Sequence, residues 1–428
     1  MNQKPIEVAI LGLGTVGMGV YKVLQMQKDE MPYKIGTELK VKKVLVRNVE
    51  KAIKKIGDES LVTNDFQSIL EDPDIKIVIE VMGGMEPAKT YIMESLKAGK
   101  NVVSANKDLI AMCGGELLDA AKDQKLDFLF EAAVAGGIPI IRPLKQCLQG
   151  NHLTEIMGIV NGTTNFILSK MTQEGMEFED ALALATKLGY AEADPTADIE
   201  GLDAGRKVAI MASIAFNSRV TFPDVYTEGI TKITATDIRY AKEMGCHIKL
   251  LGIARNTEAG IEVSVHPILI PSNHPLATVN DSFNAVFVHG DAIDDAMFYG
   301  RGAGELPTAS AVVGDVIDIA RNVQYNCTGR INCTCYKNLP IKKMEETVNK
   351  YFLRMQVEDR CGVLANVASV FGNNNVSIAQ MIQKTRNGET AEIVVITDAV
   401  QEKHFNDSLT IFKGMSIIKE ISAMIRVY

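Results

Sequence analysis

Residues 189–207 hold the side chains in this sequence that could most directly do chemistry. Five carboxylates lie in that stretch, and two cations follow the last of them: Glu192, Asp194, Asp198, Glu200, Asp203, Arg206 and Lys207. The apolar residues that follow recur at helical spacing, which predicts a helix. Asp203 and Lys207 lie four residues apart and therefore share one face of that helix, about 6 Å apart at Cβ.

This pair of charges has two interpretations. In the first it is a surface ion pair, which stabilises a helix by about half a kcal/mol at most. In the second, the apolar face that follows carries Lys207 toward a cleft, where a partly desolvated lysine is a usable general acid or base. Asp203 lies in the first helical turn, where the helix dipole favours a negative charge. We favour the second interpretation.

The composition limits the class of protein that can carry this segment. With 428 residues, of which 46% are hydrophobic, the chain can form two or three domains with sizeable cores. Its formal net charge of −8 argues against nucleic acid or an anionic membrane as a partner. No apolar run reaches the roughly 18 residues of a membrane span. The N-terminus leads almost directly into a predicted strand, so we expect no signal peptide.

Seven cysteines in a chain of this length do not form a disulfide framework, and we expect a reducing, cytoplasmic location. Three of them cluster at Cys327, Cys333 and Cys335. Their spacing is not that of a zinc knuckle, and no fourth soft ligand follows in the sequence. We therefore favour free thiols in a connecting segment over a metal site.

The first third of the chain has the pattern of a dinucleotide-binding unit. An apolar run at Ile6–Leu13 predicts a buried parallel strand, and helical spacing follows it. Between them lies a G-x-G-x-x-G turn, in which the glycines permit a tight turn, close approach of a pyrophosphate and close packing of helix on strand. The predicted cofactor-binding turn consists of Gly12, Leu13, Gly14, Thr15, Val16 and Gly17.

The end of the second predicted strand, Val41–Asn48, indicates which cofactor binds. An acidic residue at this point holds the ribose 2′-hydroxyl of NAD, but the sequence has Arg47 and Asn48 here, followed by three lysines. Because a guanidinium matches phosphate oxygens, Arg47 favours NADP(H), with NAD(H) as the alternative. A solvated basic helix start would be the non-functional interpretation.

Further strand and helix patterns alternate up to about residue 150, which predicts a doubly wound Rossmann sheet. The middle of the chain, with long strands such as IEVSVHPILI, predicts an α+β domain with a mixed sheet. The last eighty residues follow the order βαββαβ, which is ferredoxin-like. We place the domains at 1–150 (completed by a helix at 308–325), 151–307 and 349–428, with a linker at 326–348.

Several motifs resemble those of homoserine dehydrogenases. The longest runs from Ala185 to Lys207 and includes Gly189-Tyr190-Ala191, Asp194-Pro195, Asp198-Ile199, Gly201 and Asp203. Val160–Asn165 (VNGTTN), Ser104–Lys107 (SANK) and Gly302–Ala309 are similar to further segments of that family. The resemblance covers roughly residues 5–325, and the chain has no room for an additional kinase domain. It therefore looks like a monofunctional member.

The resemblance implies reversible, NAD(P)H-dependent reduction of L-aspartate 4-semialdehyde to L-homoserine, a step toward threonine, methionine and isoleucine. By resemblance, Glu192 receives the substrate ammonium, Asp203 contacts and orients the substrate, and Lys207 is the proton donor. Asp198 supports this cluster, and Lys107 lies at both cofactor and substrate. Ser104, Gly189 and Gly304 match positions beside the cofactor.

Two further sites are implied only by resemblance. A structural sodium ion is expected in the loop that contains Glu131, Val134, Gly136 and Ile138, held by main-chain carbonyls and the glutamate side chain. The family's substrate-domain sheet also forms a dimer interface, so we expect a homodimer or homotetramer.

The C-terminal turn Asp359-Arg360-Cys361-Gly362-Val363-Leu364 resembles that of an ACT regulatory domain. In such domains this turn and the facing strand bind an amino acid at an interface. The corresponding residues here are Asp359, Gly362, Val363, Leu364, Asn375, Ser377 and Ile378. The pathway end product threonine is the expected effector, and a dimerisation module without a ligand is the alternative.

Two other functions fit parts of the sequence. Aspartate-semialdehyde dehydrogenase shares the substrate but needs a nucleophilic cysteine with a partner histidine, and neither Cys113 nor Cys147 has a recognisable context for that role. An amino-acid sensor with a retained nucleotide fold would not need Asp203 and Lys207 or the acid-rich segment. We therefore predict a homoserine dehydrogenase.

Overall fold

The computed structural model describes residues 4–387 and 390–428. The strands are β1 (Ile6–Leu11), β2 (Leu39–Leu45), β3 (Val62–Thr63), β4 (Ile75–Glu80), β5 (Asn101–Ser104), β6 (Phe128–Leu129), β7 (Leu153–Ile159), β8 (Tyr226–Thr227), β9 (Cys246–Thr257), β10 (Gly260–Pro271), β11 (Phe283–Gly290), β12 (Asp294–Arg301), β13 (Val348–Glu358), β14 (Ile378–Asn387), β15 (Thr390–Thr397), β16 (Val400–Gln401) and β17 (Ile418–Val427).

The α-helices are α1 (Thr15–Met26), α2 (Met31–Ile35), α3 (Val49–Ile56), α4 (Gln67–Leu70), α5 (Ala88–Lys97), α6 (Lys107–Asp123), α7 (Gly162–Glu174), α8 (Phe178–Lys187), α9 (Thr196–Ile199), α10 (Leu202–Ala215), α11 (Ala235–Glu243), α12 (Glu305–Gln324), α13 (Val363–Asn373) and α14 (Glu402–Gly414). None of them, within the described residues, is long and apolar enough to cross a membrane.

The chain divides into two compact units. Unit 1 comprises residues 1–156, 206–224 and 283–338, and unit 2 comprises residues 157–205, 225–282 and 339–428. The division falls inside helix α10, so that Asp203 and Lys207 belong to different units although they lie one turn apart on the same helix.

Unit 1 is built on a six-stranded parallel sheet with the order β3-β2-β1-β4-β5-β6. This is the strand order of a Rossmann fold, which confirms the prediction from the alternating pattern. Strand β1 is buried along most of its length because its residues are almost all apolar. Helix α12 packs in the same core cluster as α1, through residues such as Val312 and Val316.

The glycine-rich turn between β1 and α1 has the predicted conformation. Gly12 has φ of +99°, which favours glycine. A Cβ atom on Gly17 would lie 2.1 Å from the carbonyl oxygen of Gly12, so any side chain there would push the helix off the strand. The sequence therefore specifies both the turn and the close packing behind it.

Unit 2 contains helices α7–α9 and α11, the antiparallel pair β9–β10, and the C-terminal module. That module has the order β13-α13-β14-β15-β16-α14-β17, which is the predicted βαββαβ order with the two-residue strand β16 added. It has its own core around Phe371, Phe405 and Phe412. Its strands lie in the order β17-β13-β15-β14, and β17 pairs in parallel with β10, where Ile268 faces Arg426. The module thus extends the sheet that contains β9 and β10.

Candidate active site

A groove in unit 1 lies at the carboxyl ends of β1, β2 and β4. It has a volume of about 520 Å³, and its lining includes Gly12, Gly14 and Arg47. Lys51 and Lys55 also line it, while no acidic side chain does so within the described part of the chain. The backbone of the glycine turn and these cations can receive a pyrophosphate and a further phosphate.

Asn48, the other polar residue at the end of β2, has a different task. Its side chain accepts a hydrogen bond from the backbone N–H of Lys51 at 2.9 Å and so caps helix α3. Arg47 is therefore the side chain at this point that can meet a 2′-phosphate.

Ser104, a predicted cofactor residue, is held by a residue that the sequence analysis missed. Its hydroxyl donates to Glu80 at 2.7 Å and accepts from the backbone N–H of Asn106 at 3.1 Å. Burial raises the pKa of Glu80, whose carboxyl also accepts from the backbone N–H groups of Met82 and Gly83. Glu80 thus organises the groove-lining loop. The sequence feature that could have identified Glu80 is an acidic residue at the end of an otherwise apolar strand, IKIVIE.

Two lysines of the predicted site stand at the starts of neighbouring helices in unit 1. Lys107 is the first residue of α6, which Asn106 caps, and Lys207 lies in the second turn of α10. The adjacent residues Arg206 and Asp108 form an ion pair with an Nε–Oδ1 distance of 2.7 Å. This ion pair links the starts of the two helices, although a hundred residues separate Lys107 and Lys207 in sequence.

In unit 2, Asn161 joins two of the predicted carboxylates. Its amide nitrogen donates to Asp198 at 2.6 Å and to Asp203 at 2.9 Å. Its amide oxygen accepts from the backbone N–H of Thr164 and caps helix α7, which begins at Gly162. Asn161 is therefore a site residue that the sequence analysis quoted only as part of a motif.

The remaining acids of this segment differ in exposure. Asp203 is 4% exposed, whereas Glu192 and Asp194 are exposed. Hydrogen bonds from the side chain and backbone of Thr196 lower the pKa of Asp194. Asp194 is thus used as a local cap, and Glu192 is the exposed carboxylate that remains for a ligand.

The two predicted backbone positions have unusual conformations. Gly189, just after α8, has φ of +78°, and Gly304, which precedes α12, has φ of +132°. Both conformations favour glycine, because a Cβ atom would be strained there. The predicted glycines are therefore required by the backbone irrespective of any cofactor contact.

The loop of the predicted sodium site is folded tightly in unit 1. The carboxylate of Glu131 accepts hydrogen bonds from the backbone N–H groups of Ile140, Ile141 and Arg142, at 2.6, 2.7 and 2.8 Å. A Cβ atom on Gly136 would lie 2.2 Å from the carbonyl oxygen of Gly302. Because the carboxylate of Glu131 already serves three amides, ion binding in this loop would rest mainly on main-chain carbonyls.

The predicted effector residues lie around the N-terminus of α13. Gly362 has φ of +89°, and no atom lies within 4 Å of where its Cβ would be. Val363 is buried below it, Leu364 is 41% exposed, and Asp359 accepts a hydrogen bond from Gln383 on β14. Among the residues of the facing segment, Ser377 donates to Asp398 at 2.8 Å, Asn375 has φ of +58°, and Ile378 begins β14.

A Rossmann sheet with a glycine-rich turn, a basic groove and two lysines at helix starts defines a nicotinamide-dependent oxidoreductase. Three family profiles match the chain: "Homoserine dehydrogenase" at residues 139–317, "Homoserine dehydrogenase, NAD binding domain" at residues 12–131, and "ACT domain" at residues 351–413. The homoserine dehydrogenase of Corynebacterium glutamicum is 46% identical, over 98% of this chain and 95% of that protein.

Solved structures agree with this result. A homoserine dehydrogenase from Thiobacillus denitrificans has a TM-score of 0.95 and 42% identity, over 99% of this chain and 98% of that one. A hyperthermophilic archaeal homoserine dehydrogenase, solved as a mutant with NADPH, has a TM-score of 0.63 and 27% identity, over 74% of this chain and 98% of that one. The chain belongs to the homoserine dehydrogenase family, which confirms the predicted enzyme class and the C-terminal ACT domain.

Proposed function

We propose that Glu192, Asp198, Asp203, Lys107 and Lys207 carry out the homoserine dehydrogenase reaction in this chain. Glu192 receives the substrate ammonium, because it is exposed and, unlike the exposed Asp194, does not cap a turn of residues 189–207. Asp203, buried and held by Asn161, orients the substrate, while Asp198 shares the same amide and supports Asp203. The hydrogen bonds of Asn161 support these two roles.

When bound, the reduced nicotinamide supplies the hydride that adds to C4 of the aldehyde. Lys207 donates a proton to the substrate oxygen as negative charge develops on it, and its ammonium stabilises that charge beforehand. Lys107 adds a second positive charge, since the Arg206–Asp108 ion pair holds the two helix starts together. In the reverse direction, neutral Lys207 accepts the hydroxyl proton of homoserine.

For the cofactor we propose NADP(H) over NAD(H), with Gly12–Gly17 at the pyrophosphate and Ser104, Gly189 and Gly304 near the nicotinamide end. The lining of the groove by Arg47, Lys51 and Lys55 supports this preference. Arg47→Asp should lower the ratio of kcat/KM for NADPH to that for NADH by at least about tenfold, because an acid repels the 2′-phosphate. Lys54→Asp is the matched control, since Lys54 is an exposed α3 residue outside that lining. Equal shifts in both variants would refute the role of Arg47.

A structural sodium ion in the loop of Glu131, Val134, Gly136 and Ile138 is a further proposal. It is supported by the compact loop, in which Gly136 has φ of +53°. The ion would be held by main-chain carbonyls, with the Glu131 carboxylate fixing the loop through its three amide hydrogen bonds.

We also propose that threonine binding at the ACT turn regulates the enzyme. Two buried arginines of the C-terminal module support a coupling within unit 2. Arg354 pairs with Asp237 at 2.9 Å and Glu392 at 3.1 Å, and the Tyr240 hydroxyl also bonds Glu392. Arg426, 1% exposed, pairs with Glu402 and, at 2.8 Å, with Glu228.

The second network leads to the acid-rich segment. Residues 228–230 lie directly on that segment: Ile230 N–H donates to the carbonyl of Ile199 at 2.8 Å, and a Cβ atom on Gly229 would lie 2.1 Å from the same oxygen. Ile199 follows Asp198 in sequence. A displacement of β17 on effector binding would therefore be transmitted through Arg426 and Glu228 to the substrate carboxylates.

A homodimer or homotetramer in the cytoplasm completes the proposal. Met297 and Tyr299 on β12 are 41% and 53% exposed, which supports burial of this strand against a second copy. All seven cysteines are free, as expected for a reducing compartment.

The observation that carries the proposal is the bridge from Asn161 to Asp198 and Asp203, one helical turn before Lys207. The test is NADPH or NADH oxidation with aspartate semialdehyde, without phosphate, and with or without threonine. We expect turnover with both cofactors, faster with NADPH, and a reduction by threonine of about 5–150-fold. No oxidation of the reduced cofactor, together with phosphate-dependent reduction of NADP⁺ by the semialdehyde, would instead indicate the thioester chemistry of the alternative dehydrogenase.

A further inference from the structure

A second cavity in unit 1 lies apart from the nucleotide groove. It has a volume of about 220 Å³ and is lined by residues of α6, by Ile210, Ser213 and Ile214 of α10, and by the segment around Cys333 and Cys335. Two cations, Lys145 and Arg219, also line it, together with one acid, Glu116, which pairs with Lys89 at 2.8 Å. None of these side chains has a role in the proposed reaction.

The two cysteines form a dithiol in the lining of this cavity. Interaction with Cys335 lowers the pKa of Cys333, and Arg219 and Lys145 lower it further against the opposing effect of burial. The Cys335 thiol donates to the carbonyl oxygen of Ser213 on α10, with the sulfur 3.5 Å from that oxygen. Cys333 is thus the thiol of the pair that ionises first.

The two cations beside the dithiol are held in place by packing: Lys145 is buried, and Arg219 lies against the backbone of α6. Lys145, in the π-helical turn Pro143–Cys147, is 8% exposed, and its ammonium lies 5.2 Å from the ring centroid of Phe130. Burial lowers the pKa of Lys145, and the sulfurs of Cys333 and Cys335 are the largest influences in the opposite direction. Arg219 lies against Gly115, whose Cβ would meet its guanidinium at 2.1 Å.

The charges that line the cavity indicate which kind of molecule could react with the two cysteines. The permanently charged guanidinium of Arg219, with Lys145 beside the same sulfurs, disfavours a metal cation and favours an anionic molecule. The cavity admits a small ligand that can approach a thiolate. We propose that Cys333 and Cys335 are a covalent modification site for anionic low-molecular-weight disulfides.

The reaction proceeds in two exchanges. The Cys333 thiolate attacks one sulfur of the disulfide R–S–S–R, forming a mixed disulfide and releasing RS⁻, which takes up a proton. Cys335 then loses its proton to solvent and attacks the Cys333 sulfur, expelling a second RS⁻. The two cysteines are oxidised to a disulfide, and one small disulfide is reduced to two thiols.

The modification should affect turnover. Helices α6 and α10 both contribute residues to the lining of the cavity. Helix α6 begins with Lys107, and helix α10 carries Lys207. An adduct in the cavity, or withdrawal of the Cys335 sulfur from Ser213, should disturb the alignment of these helices. This consequence depends on the proposed role of the lysines, whereas the thiol chemistry does not.

The test treats the full-length enzyme with 3,3′-dithiodipropionate, a dianion, or with cystamine, a dication of similar size, and follows each cysteine by peptide mass spectrometry. We expect Cys333 to react with the dianion at least about tenfold faster than the exposed Cys147, Cys327 and Cys361. In Cys335→Ser the adduct should persist on Cys333, while Cys327→Ser should behave as wild type. Lys145→Met and Arg219→Gln should each remove the preference for the dianion.

Equal rates at Cys333 and the exposed cysteines, or no preference for the dianion, would overturn the modification site. In parallel, kcat should fall as the dithiol oxidises and recover with dithiothreitol, but stay constant in Cys333→Ser. If oxidation is complete and kcat is unchanged, the coupling to α10 is wrong while the thiol site stands.

Discussion

At the scale of single residues, the acid-rich segment assigns a different task to each carboxylate. Asp194 caps its own turn, Asp198 and Asp203 share the amide of Asn161, and Glu192 is exposed. The exposed carboxylate of Glu192 can therefore bind a ligand, whereas the other three carboxylates already form hydrogen bonds within the protein. The sequence shows that these residues are acidic. It does not show which of them form hydrogen bonds with Asn161, because Asn161 lies about forty residues away.

Glu192→Gln tests the assignment of the substrate ammonium. Because the carboxylate attracts the ammonium in the ground and transition states alike, KM for homoserine should rise at least about tenfold with little change in kcat. Steady-state kinetics with varied homoserine measures this. Asp194→Asn, a neighbouring exposed carboxylate, is the matched control and should leave KM within about twofold. An unchanged KM in Glu192→Gln would place the ammonium elsewhere.

At the scale of elements, the sequence predicted what is local and missed what is distant. The glycine turn was predictable, because Gly12 and Gly17 are required by backbone conformation and packing within six residues. The pairing of Arg206 with Asp108, and that of Ser104 with Glu80, depends on which helices and strands become neighbours. Ordinary charged and polar residues give no signal of such partners.

Asp108→Asn tests whether the ion pair between α6 and α10 positions the two lysines. The pair is partly exposed, so its loss should lower the free energy of unfolding by less than about 1 kcal/mol. Misplacement of Lys107 and Lys207 should nevertheless lower kcat by about 3–10-fold. Asp119→Asn, on the exposed part of the same helix, is the control. If the double variant with Arg206→Met loses the product of both single effects, the two side chains act independently and the positioning role is wrong.

At the scale of the whole molecule, the C-terminal module is attached to the rest of unit 2 by buried charges. Asp237 is fully buried and forms an ion pair with Arg354, and Glu228 forms an ion pair with Arg426. Removal of residues 349–428 would leave these carboxylates without their cations, and a truncated enzyme should be destabilised.

Arg354→Met measures this attachment without truncation. It leaves two buried carboxylates uncompensated, so the free energy of unfolding should fall by about 3–5 kcal/mol. Arg360→Met is the matched control, because the Arg360–Glu358 pair is 62% exposed at the arginine and should contribute less than about 1 kcal/mol. Denaturant unfolding of both variants provides the comparison. Similar losses in the two variants would show that the buried network does not hold the module.

The central claim is that Lys207 is the proton donor, and the most direct measurement is kcat of Lys207→Ala for semialdehyde reduction. We expect a loss of about 10²–10⁴-fold, with NADPH affinity in a fluorescence titration almost unchanged. Lys207→Arg should fail similarly, because a guanidinium does not release its proton at working pH. Lys187→Ala, at an exposed lysine of α8, should retain full activity. A tenfold or smaller loss in Lys207→Ala, with cofactor binding intact, would contradict the claim.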